Sequence, residues 1–365
     1  MKDVLYLRGL RRVDHSVFSV ADGQKTYWEP QFRRTLPFSS GQQVKRSILD
    51  ALVGEMGIGR APVEFQYKLE KKKDSPSEDI ALQQLDPRNP DELLGGWMRA
   101  SAKGTKTDED DYQGVLKRRS PLSISAMHAL HPLLAGTDTE DSITFDRTDD
   151  GNSSVKLLNQ NGEPMSKEEM LAYLREKDLF LRKAKYVDAR NQKRAYGLFV
   201  YDIAIDLRRL FTVSIDETAP EIDPNLIPEL EEQGWEQHVN VFGPALLAPE
   251  ATRAAILPAL AEALIEWHIT SNQARTHSTM PMLAVALSDK ASNNSVSIRA
   301  RLEQDENGRP IATPILEDSL GGLYVHPSAE GYIAGAHNLA RANALEQAKQ
   351  DLLGRLQAYN YAQRT

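Results

Sequence analysis

The stretch Leu36–Gly57, LPFSSGQQVKRSILDALVGEMG, is where the fold becomes legible. Ser40 stands where a helix N-cap belongs, and Gln43, three residues on, completes a capping box. Val44, Ile48, Leu49, Leu52, Val53 and Met56 then recur at helical spacing as one apolar stripe, and Gly57 and Gly59 supply the stop. Upstream, Val4–Val13 alternates loosely, with Leu5 and Leu7 on one side, and reads as a strand. Downstream, YGLFVYDIAIDLRRLF (196–211) alternates Tyr201, Ile203, Ile205 and Leu207 with Asp202, Ala204 and Asp206, as a half-buried strand does. A second helix is expected in ATRAAILPALAEALIEWHI (251–269), broken or kinked near Pro258. Strands follow in MPMLAVALS (280–288) and SVSIRARLE (295–303), then one long helix over GAHNLARANALEQAKQDLLGRLQAY (335–359). Strand, helix, long interruption, strand, helix, strand is the order of a ferredoxin-like α+β core.

The interruption, from about Lys68 to Arg194, holds charged runs such as KLEKKKDSPSED (68–79) and KGTKTDEDD (103–111), and reads as inserted material. Within it, SVKLLNQNGEPMS (154–166) suggests a short hairpin around Asn161-Gly162. SKEEMLAYLREKDLFLRKAKYV (166–187) carries its own cap and a stripe through Met170 and Leu174.

With 365 residues, 41% of them hydrophobic, the chain is long enough for one large domain with insertions or two smaller ones. It has no cysteine, which excludes a disulfide scaffold, a thiolate metal site and a cysteine nucleophile. No run approaches the ~20 apolar residues of a membrane span, so a soluble cytoplasmic protein without membrane contact is expected. The net charge of −8 stands against nucleic acid as a partner, but its distribution matters more than its sum. Acidic residues gather at Asp108–Asp111, Asp138–Asp141 and Asp216–Glu232, and basic ones at Arg8–Arg12, Arg33–Arg34, Lys45–Arg46, Lys71–Lys73 and Lys117–Arg119. One basic face is compatible with that pattern.

Three constellations carry chemistry. Gln42, Gln43, Lys45 and Arg46 follow Ser40 on the capped helix, whose N-terminal amides attract anions; an ordinary solvated face is the competing reading. GGWMRAS (95–101) offers close backbone approach at its glycines, a flexible apolar wedge in Met98 and a phosphate partner in Arg99. Close behind it, LKRRSPLSIS (116–125) sets Lys117, Arg118 and Arg119 beside Ser120, a grip for a phosphodiester backbone or simply a basic loop tip. The third is SNQARTHSTM (271–280), where Gln273 and Arg275 can serve phosphate or sugar oxygens, or form an ordinary polar loop. His128 and His131 could share a helical face, but no carboxylate completes a zinc site, and neither a phosphate-binding glycine loop nor a nucleophile elbow is present. No metal and no cofactor are expected.

Taken in order, these segments resemble the CRISPR-associated autoregulator family DevR, the Cas-seven-type repeating backbone subunits of type I, I-B-like Cascade complexes. SSGQQVKR, GGWMRA and KRRSPLSIS carry the resemblance, followed by LFVYDIAIDL, ILPALAEAL, NQART and MLAVALS, from about residue 5 to about residue 290. It implies an RRM-like, ferredoxin-like palm with helical fingers and a β-hairpin thumb. Residues 1–67 and 195–320 would form the two parts of the palm, 68–194 the finger and thumb region, and 321–365 a C-terminal helical extension. It implies no enzymatic activity. Ser40, Gln42, Gln43, Lys45, Arg46, Met98, Arg99, Lys117, Arg118, Arg119, Ser120, Gln273 and Arg275 would hold the sugar-phosphate backbone of a guide crRNA without reading its sequence. Further copies of the chain would extend a helical filament with other Cascade subunits, and target DNA would be recognised by pairing to the guide. Two other readings stay open: a type III-like subunit cleaving target RNA with a metal held at Asp14 or Asp22, and a DNA-binding autoregulator.

Overall fold

Around β1 (Val4–Ser16) the main sheet is built, because its alternating side chains bury apolar groups on both faces. Leu5, Leu7 and Val13 join the larger core on one face, and Leu10 joins a smaller core on the other. The computed structural model describes residues 2–18, 24–69, 76–83, 85–99, 115–139, 156–159, 161–177, 193–269 and 278–363.

A short hairpin, β2 (Thr26–Glu29) with β3 (Arg34–Pro37), leads into α1 (Gly41–Glu55). The Ser40 hydroxyl accepts from the Gln43 amide, so the expected cap is formed, and Val44, Ile48, Leu49, Leu52 and Val53 are the buried stripe. The region after it begins with the hairpin of β4 (Val63–Leu69) and β5 (Pro76–Gln83), then α2 (Pro90–Gly95). β6 (Trp97–Arg99) pairs with β7 (Leu116–Arg118), and three short strands follow: β8 (Leu122–Ile124), β9 (His128–Ala129) and β10 (Ala135–Thr139). Leu158 bridges Pro164 across the expected turn, where Gly162 takes φ +83°. The Ser166–Glu169 capping box opens α3 (Lys167–Glu176), which buries none of its residues.

The next strand, β11 (Lys193–Asp206), pairs antiparallel with β1 along one edge. Its other edge takes β8, β9 and β10 in turn, so the stretch read as an insertion contributes to the main sheet. A small sheet of β12 (Thr212–Ser214), β13 (Glu236–Asn240) and β14 (Gly243–Leu247) encloses the short α4 (Ile227–Glu232) in sequence. Next come α5 (Glu250–Glu266) and β15 (Met282–Ser288), which pairs antiparallel with the free edge of β1. The order β15–β1–β11–(β8, β9, β10), all antiparallel, with α1 and α5 as the connecting helices, is the ferredoxin-like arrangement. The protein is therefore an α+β fold with a ferredoxin-like palm and insertions. α1 and α5 pack against each other over the Leu5–Leu7 face.

After α6 (Ala291–Ser297), a long hairpin of β16 (Ile298–Gln304) and β17 (Pro310–Leu316) extends the chain, and β18 (Leu323–Val325) adds to β15. α7 (Ala344–Gln357) packs on α5, where Lys349 Nζ lies 3.1 Å from Glu262. Two sequence expectations are corrected. α5 runs unbroken through Pro258, because Pro258 and Ala254, whose carbonyl loses its amide partner, both lie on the exposed face. The expected C-terminal helix starts only at Ala344; before it Ala336–Asn338 forms a 3-10 turn and Ala340 bridges Val325.

Candidate nucleic-acid interface

At the start of α1, Gln42 and Arg46 are exposed one turn apart. Arg46 lies 3.7 Å from Asp50 with its side chain 71% exposed, a loose surface pair. Gln43 turns inward and its Oε1 accepts from the Ser39 hydroxyl at 2.9 Å. Lys45 is half-buried, has no ion-pair partner among the described residues, and desolvation pushes its ammonium pKa below the usual lysine value. An anion approaching this turn would relieve that cost.

On β6 and β7, strand alternation decides which side chains face outward. Met98 stands directly opposite Lys117, and both are exposed, Met98 at 64%. Arg99 is partly covered, 3.9 Å from Asp223, and its Nη2 is buried without a hydrogen-bond partner. Arg118 is a correction: the alternation that exposes Lys117 sends the next side chain inward. Its guanidinium, wholly buried, pairs with Glu221 at 2.9 Å and donates to the carbonyls of Leu93, Thr212 and Arg209. It stacks over Trp97, whose indole donates to the Glu221 carbonyl at 2.6 Å. Arg118 therefore ties β7 to the segment entering β12 and has no face left for a phosphate. Ser120 also works internally, its hydroxyl 2.8 Å from the Leu94 carbonyl and accepting from the Leu122 amide at 3.1 Å. Arg119 is exposed.

These segments, of which α1 lies well before the other two in sequence, interlock through glycines. A Cβ on Gly41 would come within 2.6 Å of the Ile124 carbonyl oxygen, so α1 starts tight against the end of β8. One on Gly95 would meet Leu49 of α1 at 3.0 Å. Gly96 has φ +74°, and a Cβ there would lie 2.6 Å from the Ser120 amide and 2.7 Å from the Arg118 carbonyl. The first turn of α1, Met98 and Lys117 thus belong to one packed unit.

Gln273 and Arg275 lie outside the described residues, as does Asp22. Asp14 pairs with Arg12 at 2.6 Å. His128 and His131 do not share a helix: His128 is in β9, and the His131 ring, 5.0 Å from that of Phe32, accepts from the Leu133 amide through Nδ1. Among the described residues no group of three potential ligands could hold a metal ion, and no helix is long and apolar enough to cross a membrane.

Sequence reading missed a buried cation, Arg11. Its guanidinium lies 4.5 Å above the Trp267 ring and donates to the carbonyls of Ile265, Trp267 and Met280. It thereby joins the end of α5 to the start of β15. Within the Arg8, Arg11, Arg12 cluster nothing in the sequence distinguishes the buried arginine from its surface neighbours.

No family model matches the chain, and no curated protein matches it. Among solved structures it is similar to a chain of a "CRISPR RNA-guided surveillance complex, pre-nicking", with a TM-score of 0.43, 10% identity, and coverage of 97% of this chain and 88% of that one. It is also similar to a chain of a "CRISPR RNA-guided surveillance complex", with a TM-score of 0.36, 12% identity, and coverage of 97% and 84%.

Proposed function

We propose that this protein is a repeating backbone subunit of a CRISPR interference complex, which binds a guide RNA along its sugar-phosphate backbone and does not itself catalyse a reaction. The observation that carries the proposal is the interlocking of SSGQQVKR, GGWMRA and KRRSPLSIS, the segments on which the resemblance to the DevR family rests. Their glycines are the contact points. The outward side chains they leave are the cations Arg46, Lys117 and Arg119, the polar Gln42 and Ser123, and one flexible apolar group, Met98.

In this reading Gln42, Lys45, Arg46 and Lys117 position phosphates, and Met98 packs against a base displaced from its stack. Arg99, Gln273 and Arg275 complete the set, while Ser40, Gln43 and Ser120 shape the backbone that carries it. Arg118 acts only as a structural tie. Copies stacked along the guide, with other subunits, would present it for pairing with target DNA.

The test is guide affinity over a salt series for two unrelated spacer sequences. Replacing Arg46 or Lys117 with Ala should lower the salt slope by about 0.7–1 unit per site for both guides alike. Unchanged slopes and affinities would place the guide elsewhere, and a loss confined to one guide would indicate base reading.

A further inference from the structure

The face of the main sheet turned away from α1 and α5 is only half covered. Leu10, Leu198, Val200, Ala284 and Ala286 are buried there beneath the segment that includes Val325, Ala329 and Ile333. Strand register places the open remainder on the same face. Tyr6 lies opposite Ala204, which lies opposite Ser123, and one step along Arg8 lies opposite Asp202. Two cavities open over these rows, of about 430 Å³ and 240 Å³, and share Tyr6, Ser123 and Ala204 in their walls. Part of KRRSPLSIS reaches this surface, since Arg119, Ser120 and Ser123 line the smaller cavity and Ser123, Ile124 and Ser125 the larger, but none of the interface residues on α1, β6 or β7 lines either.

Its chemistry is that of a ribonucleotide seat. The half-buried Tyr6 ring stands beside the small Ala204, leaving room for a base, and its hydroxyl has no partner among the described residues. Arg119, in the wall of the smaller cavity, has no ion-pair partner there either, whereas the neighbouring Arg208 is held by Asp206 through bonds of 2.8 and 2.9 Å. Asp202 accepts two bonds from Arg8, at 2.7 and 2.9 Å, yet its side chain stays 44% exposed. A carboxylate with spare lone pairs repels phosphate but accepts from a sugar hydroxyl.

We propose that this uncovered sheet face is a second, ribose-selective site for single-stranded RNA, with a base on Tyr6, a 2′-hydroxyl on Asp202 and a phosphate at Arg119. It rests on the reading of the protein as an RNA binder but lies across the sheet from the guide contacts on α1.

The test uses the full chain with fluorescent oligouridylate and oligothymidylate of about twelve nucleotides, a length within the usual range of single-strand sites. Oligouridylate should bind more tightly than oligothymidylate. Tyr6→Ala should weaken it about tenfold, Tyr6→Phe should not, and Arg119→Ala should lower the salt slope by about 0.7 unit. If Tyr6→Ala and Arg119→Ala change nothing while Lys45→Ala and Arg46→Ala weaken binding, this second site is overturned and the proposed function stands. If none of the four variants alters binding, or the oligomer does not bind, both fall. Equal affinity for the two oligomers would overturn ribose selectivity.

Discussion

Lys117 and Arg118 are adjacent cations with opposite fates, and the difference can be measured. Arg118→Met would remove the donor to three carbonyls and leave the buried Glu221 carboxylate with only the Ser214 amide and the Arg209 guanidinium 3.5 Å away. Breaking a buried pair on one side costs about 3–5 kcal/mol, which denaturant unfolding would resolve. Lys117→Ala, on the exposed side of the same strand, should stay within about 0.5 kcal/mol of the parent and instead weaken guide binding. Lys45 gives a prediction in pH. Because burial lowers its folded-state pKa, the unfolded chain binds its proton more tightly, and the group's contribution to stability improves as pH rises from that lowered pKa toward the ordinary lysine value. A bound phosphate favours the charged form, so guide affinity should fall over the same rise in pH. Lys45→Arg, which does not titrate there, should remove that fall in affinity titrations. At this scale the sequence showed which residue types were present but not which way they pointed. KRR reads as one basic grip until pairing with β6 puts Lys117 and Arg118 in a strand.

Among the elements, α1 holds the first contact surface, and its cap and glycines can be tested separately. Ser40→Ala should cost about 0.5–2 kcal/mol through the lost bond to the Gln43 amide. Gly54→Ala, in open space late in the same helix, should stabilise by about 0.5–1 kcal/mol. Gly96→Ala should destabilise, since both its φ of +74° and its close contacts with the Ser120 and Arg118 backbone forbid a side chain; thermal unfolding would rank all three variants. Elements with their own periodicity and caps, α1, α3, β11 and β15, were legible in advance. β8, β9 and β10 were not, since strands of two to five residues carry too few alternations to read and are defined by pairing with β11. Of the break or kink expected at Pro258 the break is absent, because an exposed proline leaves its orphaned carbonyl to water. The early start expected for α7 failed because Ala340 bridges Val325 instead.

For the whole molecule, the order of helices and strands was enough to predict the ferredoxin-like palm, and β15–β1–β11 is its spine. The site was only partly legible. The resemblance supplied its segments, the glycine contacts supplied their convergence, and the open sheet face emerged only from register. A net charge of −8 is reconcilable with RNA binding when cations collect on limited surfaces and the remaining acidic surface faces water. The most direct measurement is the nucleic acid that co-purifies with the protein from a host expressing the matching CRISPR array, together with the mass of the particle that carries it. The account predicts RNA of one length class in an assembly of several copies, because a backbone-binding subunit adds in proportion to strand length. A nucleic-acid-free monomer from that host would contradict it.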